Sequence, residues 1–181
     1  IFAGNDTSRN SLSGTIRLMN QFPDQRAMVL EDPALIPRMS EEALRMVSPV
    51  IHMRRTAIED TEVNGQKIGK DEKVVLWYGV ANRDPEIFPN PDTFDMHRPN
   101  VEKHLAFGHG VHKCLGSRIA KMQLRLAFER IFERFPDIYW TGKQTIAPNA
   151  LVHAISSMQV NLYGKNAKRP TQVAVPNAES A

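Results

Sequence analysis

A glycine-rich loop around the chain's single cysteine carries the strongest chemical signal in the sequence. The loop runs from Phe107 to Gly116, and Gly108 and Gly110 let backbone N–H groups crowd toward one point without interference from Cβ atoms. Cys114 lies at that point, just before a predicted helix, where N–H donors and the helix dipole favour a thiolate over a thiol. A thiolate of this kind serves as a nucleophile or a metal ligand. A lone cysteine is more often a small buried hydrophobic residue, but the surrounding glycines favour a functional role.

The presence of a single cysteine excludes several other roles for this residue type. One cysteine cannot form an internal disulfide, and it excludes a zinc site built from several cysteines. A cysteine hydrolase with His112 as general base is an alternative. However, a histidine two residues before the cysteine on one loop has poor base geometry, and no third group is evident to orient it.

Helices are predicted on both sides of the chain's centre. The strongest follows the cysteine loop, from Ser117 to about Phe135, with apolar residues on or near one stripe. The stripe comprises Ile119, Met122, Leu126, Phe128, Ile131 and Phe135. Earlier helices are predicted over residues 1–21, 24–30 and 41–47, with Ser40 as the N-cap of the last.

Short β segments and one long loop separate these helices. A β region is predicted over residues 56–63, Asn64-Gly65 indicates a hairpin turn, and residues 73–78 form a strand-type apolar run. Residues 82–99 are dense in Pro, Asp and Asn, and loops of this length are more often functional than idle. Further strands are predicted over residues 138–140, 151–155 and 158–162.

Composition indicates an ordinary globular chain. The 181 residues contain 41% hydrophobic and 24% charged residues and carry a formal net charge of +3, which excludes a disordered or collagen-like protein and gives no whole-chain case for nucleic-acid binding. No apolar run is long enough to span a membrane. We expect a mainly α fold with small β-sheets (α+β), one domain over residues 1–164 and a flexible tail over 165–181. Because the chain opens at Ile1 in what reads as mid-helix, we expect the C-terminal part of a longer, cytoplasmic protein.

The loop resembles the haem-binding loop of the cytochromes P450. The pattern Phe-Gly-x-Gly-x-His-x-Cys-x-Gly is matched by Phe107, Gly108, Gly110, His112, Cys114 and Gly116. The resemblance implies the C-terminal part of the P450 fold, from the distal helix to the haem loop and proximal helix. It implies haem b with Cys114 as the iron ligand, Phe107 shielding the sulfur, and His112 bonded to a haem propionate.

Three further motifs occur in the family's order. Glu42 and Arg45 resemble the Glu-x-x-Arg pair, with Arg98 as its third partner, and imply a structural ionic network beneath the haem. Alone, a Glu and an Arg three residues apart are common on solvated helix faces.

The segment from residue 3 to 7 resembles the oxygen-activation motif. Gly4 would leave space for O₂ over the haem, while Asp6 and Thr7 would deliver protons. Without the other motifs, an Asn-Asp-Thr helix cap would be the simpler interpretation. Arg55 is expected to pair with a haem propionate, with Arg54 as the alternative.

The resemblance also suggests a substrate class and partners. The distal pocket would be lined by apolar residues, namely Val50, Ile51, Met53, Leu151 and Val152. We therefore predict a monooxygenase that hydroxylates an aliphatic C–H bond of an alkane, terpenoid or sterol-like substrate. Electrons would come from NAD(P)H through a reductase and a ferredoxin. A basic cluster of Lys113, Arg118, Lys121 and Arg125 would dock the ferredoxin, unless it is simply a solvated face. The alternatives are a haem-thiolate sensing module, which needs no proton relay, and P450-fold chemistry without monooxygenation, such as a peroxygenase or dehydratase.

Overall fold

The computed structural model describes residues 2–165, which form helices and small antiparallel sheets. The helices are α1 (Phe2–Gln21), α2 (Pro23–Glu31), α3 (Ile36–Val47), α4 (Tyr78–Ala81) and α5 (Ser117–Arg134). The strands are β1 (His52–Thr56), β2 (Thr61–Val63), β3 (Gln66–Ile68), β4 (Lys73–Trp77), β5 (Tyr139–Ala147) and β6 (Ala154–Asn161). Most of the predicted tail, residues 166–181, lies outside the described residues. No helix among residues 2–165 is long and apolar enough to cross a membrane.

Helix α3 begins earlier than the sequence predicts, and Ser40 is not its N-cap. The helix starts at Ile36 with Pro37 in its first turn, a position where a proline's missing N–H costs nothing. Ser40 instead lies inside the helix, where its hydroxyl donates to the Ile36 carbonyl at 2.8 Å. The helix ends at Ser48, which adopts a left-handed conformation with φ 42°.

Three two-stranded sheets flank the helices. Strand β1 pairs with β4, β2 pairs with β3 across the predicted Asn64-Gly65 turn, and β5 pairs with β6. Both turn residues have positive φ, 49° and 80°, as a tight hairpin requires. Strand β1 overlaps the predicted β region only at Thr56, and a single strand, β6, replaces the two last predicted strands. Residues 82–99 form turns without a long element, as predicted.

The core forms where α1, α3 and α5 pack together. Gly14 of α1 approaches α3 so closely that a Cβ there would lie 2.6 Å from Val47 Cγ2. Helix α5 buries Leu124, Phe128 and Phe132.

The predicted α5 stripe is therefore only partly correct. Ile119, Met122 and Leu126 are 59%, 48% and 45% exposed among the described residues. The helix carries apolar side chains on more than one face, so spacing alone could not identify the face that is buried.

Candidate functional site

An apolar cavity of about 620 Å³ lies between the N-terminal half of α1 and the cysteine loop. The cysteine loop contributes Cys114, His112, Phe107, Gly108 and Gly116 to the lining, and the N-terminal half of α1 contributes another part of the wall. The volume is typical of a site for a cofactor or small molecule. No Asp or Glu is among the described residues that line it.

The loop's backbone presents Cys114 to this cavity. The Cys114 N–H donates to the Phe107 carbonyl at 2.8 Å, and the Lys113 N–H donates to the Gly110 carbonyl at 3.0 Å. Gly108 and Gly110 adopt φ of 69° and 65°, which side chains other than glycine rarely tolerate. Gly110 itself does not line the cavity, so its contribution is the turn that the loop makes. The Cys114 thiol is exposed and free.

Helix α1 contributes small and hydroxylated residues to the cavity wall, including Gly4 and Thr7. A Cβ on Gly4 would meet no atom within 4 Å, so the space beside it belongs to the cavity. The Thr7 hydroxyl donates to the Ala3 carbonyl at 2.7 Å, which leaves its oxygen lone pairs available. Asp6 does not line the cavity: its carboxylate pairs with Arg9 at 3.3 Å on a solvent-accessible face of the helix.

Strand β1 supplies Met53 and Arg55 to the cavity, and Arg54 is absent from its lining. Alternate residues of a strand point to opposite faces, which explains why Arg55 and its neighbour differ. Val50 also lines the cavity. Of the other predicted pocket residues, Ile51, Leu151 and Val152 do not line it, although Val152 bridges Val50 and Ile51 donates to the Leu151 carbonyl at 2.8 Å. The backbone contacts of these three residues place them next to Val50, and their role toward a substrate stays a prediction.

Several cavity residues were not predicted from the sequence. Tyr78 lines the cavity from the start of α4, and Ala120 and Gln123 do so from α5. The spacing along α5 could have indicated Ala120 and Gln123, because Gln123 follows Ala120 by three residues and Ile119 by four, so the three lie on neighbouring positions of one helix face. Tyr78 has no sequence signal because its position depends on the pairing of β4 with β1.

Glu42, Arg45 and Arg98 form one buried network. Glu42 accepts hydrogen bonds from Arg45 Nε and Nη2 at 2.8 Å each and from Arg98 Nε at 3.1 Å. Glu42 and Arg45 are fully buried, and Arg98 is nearly so. The two guanidinium groups also donate to backbone carbonyls of the 82–99 loop, at Asn82, Pro91, Thr93, Pro89 and Asn90. The network therefore fixes this loop to α3.

A second polar cluster, formed by Glu41, His104 and Lys121, packs against Phe107. The neutral tautomer of His104 accepts from the Ala106 N–H at Nδ1 and so donates from Nε2 to Glu41 at 3.1 Å. Lys121 Nζ lies 2.6 Å from the other Glu41 oxygen and 5.6 Å from the Phe107 ring centroid. Burial acts to raise the pKa of Glu41, but the hydrogen bonds from His104 and Lys121 outweigh it and lower that pKa. Glu41 is therefore an anion that anchors the loop.

The donor set of the cavity fits an iron porphyrin. No group of three or more His, Cys, Asp or Glu side chains within residues 2–165 is arranged to hold a metal ion by itself. Because a porphyrin supplies nitrogen ligands of its own, one protein donor would suffice to hold its iron, and Cys114 would be that donor. Arg55 and His112 line the same apolar cavity and are suited to the two carboxylates of haem.

Comparison with known proteins agrees with this geometry. The family model described as cytochrome P450 matches residues 28–149. Linalool 8-monooxygenase of Pseudomonas putida is 42% identical over 165 residues, which are 91% of this chain and 40% of that protein. Cytochrome P450-terp of a Pseudomonas species is 44% identical over 141 residues, which are 77% of this chain and 32% of that protein.

A solved structure shows the same arrangement. Cytochrome P450-153 from Novosphingobium aromaticivorans superposes with a TM-score of 0.83 at 43% identity, over 88% of this chain and 40% of that one. The chain thus spans two fifths or less of the length of these relatives. From the family match, the identities and the shared fold together, the chain belongs to the cytochrome P450 family, as the cysteine loop predicted.

Proposed function

We propose that the complete protein is a haem-thiolate monooxygenase acting on an aliphatic C–H bond. One observation carries the proposal: Cys114 of the cysteine loop and Thr7 of α1 line the same apolar cavity. Haem bound through Cys114 would supply the activation of O₂. One oxygen atom would enter the C–H bond, and the other would leave as water after uptake of two electrons and two protons.

The chain's own residues would bind the cofactor and move the protons. Arg55 and His112 would hold the haem carboxylates, and Gly4 would leave room for O₂. Thr7 Oγ1 donates to the Ala3 carbonyl, so its lone pairs would be free to accept a hydrogen bond from a proton donor in the cavity. Asp6 would exchange protons with solvent from the outer face of α1 and would reach the relay by leaving Arg9.

The cavity lining and the relatives support a hydrophobic aliphatic substrate. Val50, Met53 and Leu44 present hydrocarbon to the cavity. The relatives include a linalool 8-monooxygenase and a methyl-branched lipid omega-hydroxylase, whose names indicate a terpenoid and a branched lipid. We infer a terpenoid or branched alkyl substrate for this protein.

The electrons would come from NAD(P)H through a reductase and a ferredoxin in the cytoplasm. A second, polar depression of about 580 Å³ beside the loop is lined by one acidic residue, Glu102, and by the basic residues Lys103, His109, Lys113, Arg118 and Lys121. Among the described residues, Lys113 and Arg118 form no ion pair, whereas Lys121 and Arg125 pair with Glu41 and Glu129. Lys113 and Arg118 are therefore the stronger attractors for an acidic ferredoxin.

The experiment is a coupling measurement on the complete natural protein with its redox partners and linalool. The ratio of hydroxylated product to NAD(P)H consumed should fall by about tenfold or more in Thr7→Ala, with peroxide released instead. Ser13→Ala is the matched control, because Ser13 donates to a carbonyl of the same helix in the same manner but lies outside the cavity. Unchanged coupling in Thr7→Ala would contradict the role of Thr7. Monooxygenation is tested by running the reaction under ¹⁸O₂ with terpenoid and branched alkane substrates. If no product from any of them contained ¹⁸O, monooxygenation would be contradicted.

A further inference from the structure

Tyr78 places a hydroxyl group in the cavity that the assigned motifs do not use. The residue is only 8% exposed, and it lines the cavity from the first turn of α4. Its backbone N–H donates to the Ile51 carbonyl at 3.1 Å, which holds the start of α4 next to the residue before β1. Within residues 2–165 the hydroxyl itself has no hydrogen-bond partner. The hydroxyl oxygen is accessible from the cavity, and buried tyrosine rings commonly direct this group to a polar partner, so a ligand in the cavity can be that partner.

The hydroxyl lies at the end of the cavity where the cysteine loop carries His112. A Cβ built on Gly108 would be 3.5 Å from Tyr78 Oη and 3.4 Å from the His112 carbonyl oxygen, so the two groups flank the same glycine. Gly108 therefore leaves space that a side chain would take from this hydroxyl. His112, Arg55 and Tyr78 are all able to donate, and no carboxylate of the described chain faces them.

Three donors without an acidic partner are complementary to an anion. Resting on the proposed function, we propose that Tyr78 Oη donates a hydrogen bond to a haem carboxylate at the His112 end of the cavity. The phenol would add a short neutral-to-charged hydrogen bond to the charge pairing that arginine and histidine provide. Tyr78 is thus a cofactor-binding residue contributed by the start of α4, outside the cysteine loop.

The test is haem transfer from the complete protein to excess apomyoglobin, with Tyr78→Phe compared with the natural protein. Loss of a hydrogen bond to a charged group should speed haem release by about tenfold to a hundredfold. Each protein is then loaded with haem dimethyl ester, in which both carboxylates are blocked. With the ester, the two proteins should release the cofactor at equal rates. Tyr163→Phe is the control, because Tyr163 is half exposed and outside the cavity.

The outcomes separate this inference from the proposed function. An equal acceleration with haem and with its dimethyl ester would overturn the inference, because the hydroxyl would then act on something other than the carboxylates. An unchanged release rate with haem would overturn it as well, even if substrate affinity changed. The red-shifted Soret band of the reduced CO complex reports the thiolate ligand independently, and we expect it in Tyr78→Phe. Its absence from the natural protein would instead refute the proposed function.

Discussion

Replacing Glu42 by alanine should be among the most destabilising single changes in this chain. The carboxylate is fully buried and accepts four hydrogen bonds: two from Arg45, one from Arg98, and one from the Asp95 N–H at 3.1 Å. Its removal leaves two buried guanidinium groups with only carbonyl partners. Removing one partner of a buried ion pair costs about 3–5 kcal/mol of unfolding free energy, a large part of the 5–15 kcal/mol that typical proteins have.

The assay is urea unfolding of the complete natural protein, with haem content measured in parallel. The control is Glu133→Ala, since Glu133 pairs with Arg130 at 2.7 Å but both side chains are more than half exposed. That exposed pair should contribute less than about 1 kcal/mol. If Glu42→Ala lost no more stability than Glu133→Ala and retained full haem content, the reasoning about this network would be refuted.

Three further predictions concern packing and pH. Gly14→Ala should cost about 1–3 kcal/mol of unfolding free energy, because the new Cβ would lie 2.6 Å from Val47 Cγ2. Adding Val47→Ala should restore part of the loss. A gain in stability, as expected at an exposed helical glycine, would contradict this packing. Glu41 has a lowered pKa, so its stabilising contribution should be present above pH 4.5 and be lost as pH falls through the folded-state pKa. In Glu41→Gln, the unfolding free energy should therefore depend less on pH in this acidic range. An unchanged pH dependence would refute the anchoring role of Glu41. Burial, and then the charges of two nearby arginines, lower the pKa of His153. The unfolding free energy should therefore fall as pH drops from about 6.5 to the folded-state pKa of His153, and His153→Gln should remove that pH dependence. The same pH dependence in the variant would exclude His153 as its cause.

The sequence predicted well those parts of the site that are local in the chain. The cysteine loop is a contiguous motif, and Glu42 and Arg45 are one helical turn apart, so each could be recognised without knowledge of the fold. The helix and sheet content was likewise indicated by periodicity and by the Asn64-Gly65 turn. The family, once inferred from the cysteine loop, was confirmed by the comparisons.

The sequence could not settle those features in which tertiary packing decides between equivalent local patterns. Adjacent helical residues point about 100° apart, so Thr7 faces the cavity and Asp6 does not, although a linear motif treats them as a pair. The orientation of α5 depends on which apolar face meets α1 and α3, and its sequence offers more than one. Tyr78 reaches the cavity only because β4 pairs with β1, a contact between distant parts of the chain.

The central claim is that Cys114 is the thiolate ligand of haem iron. The most direct measurement is the absorption spectrum of the reduced, CO-bound complete protein, compared with Cys114→Ser. The natural protein should show the strongly red-shifted Soret band of a thiolate-ligated haem, and the variant should lack it while still folding. Persistence of that band in Cys114→Ser would contradict the account.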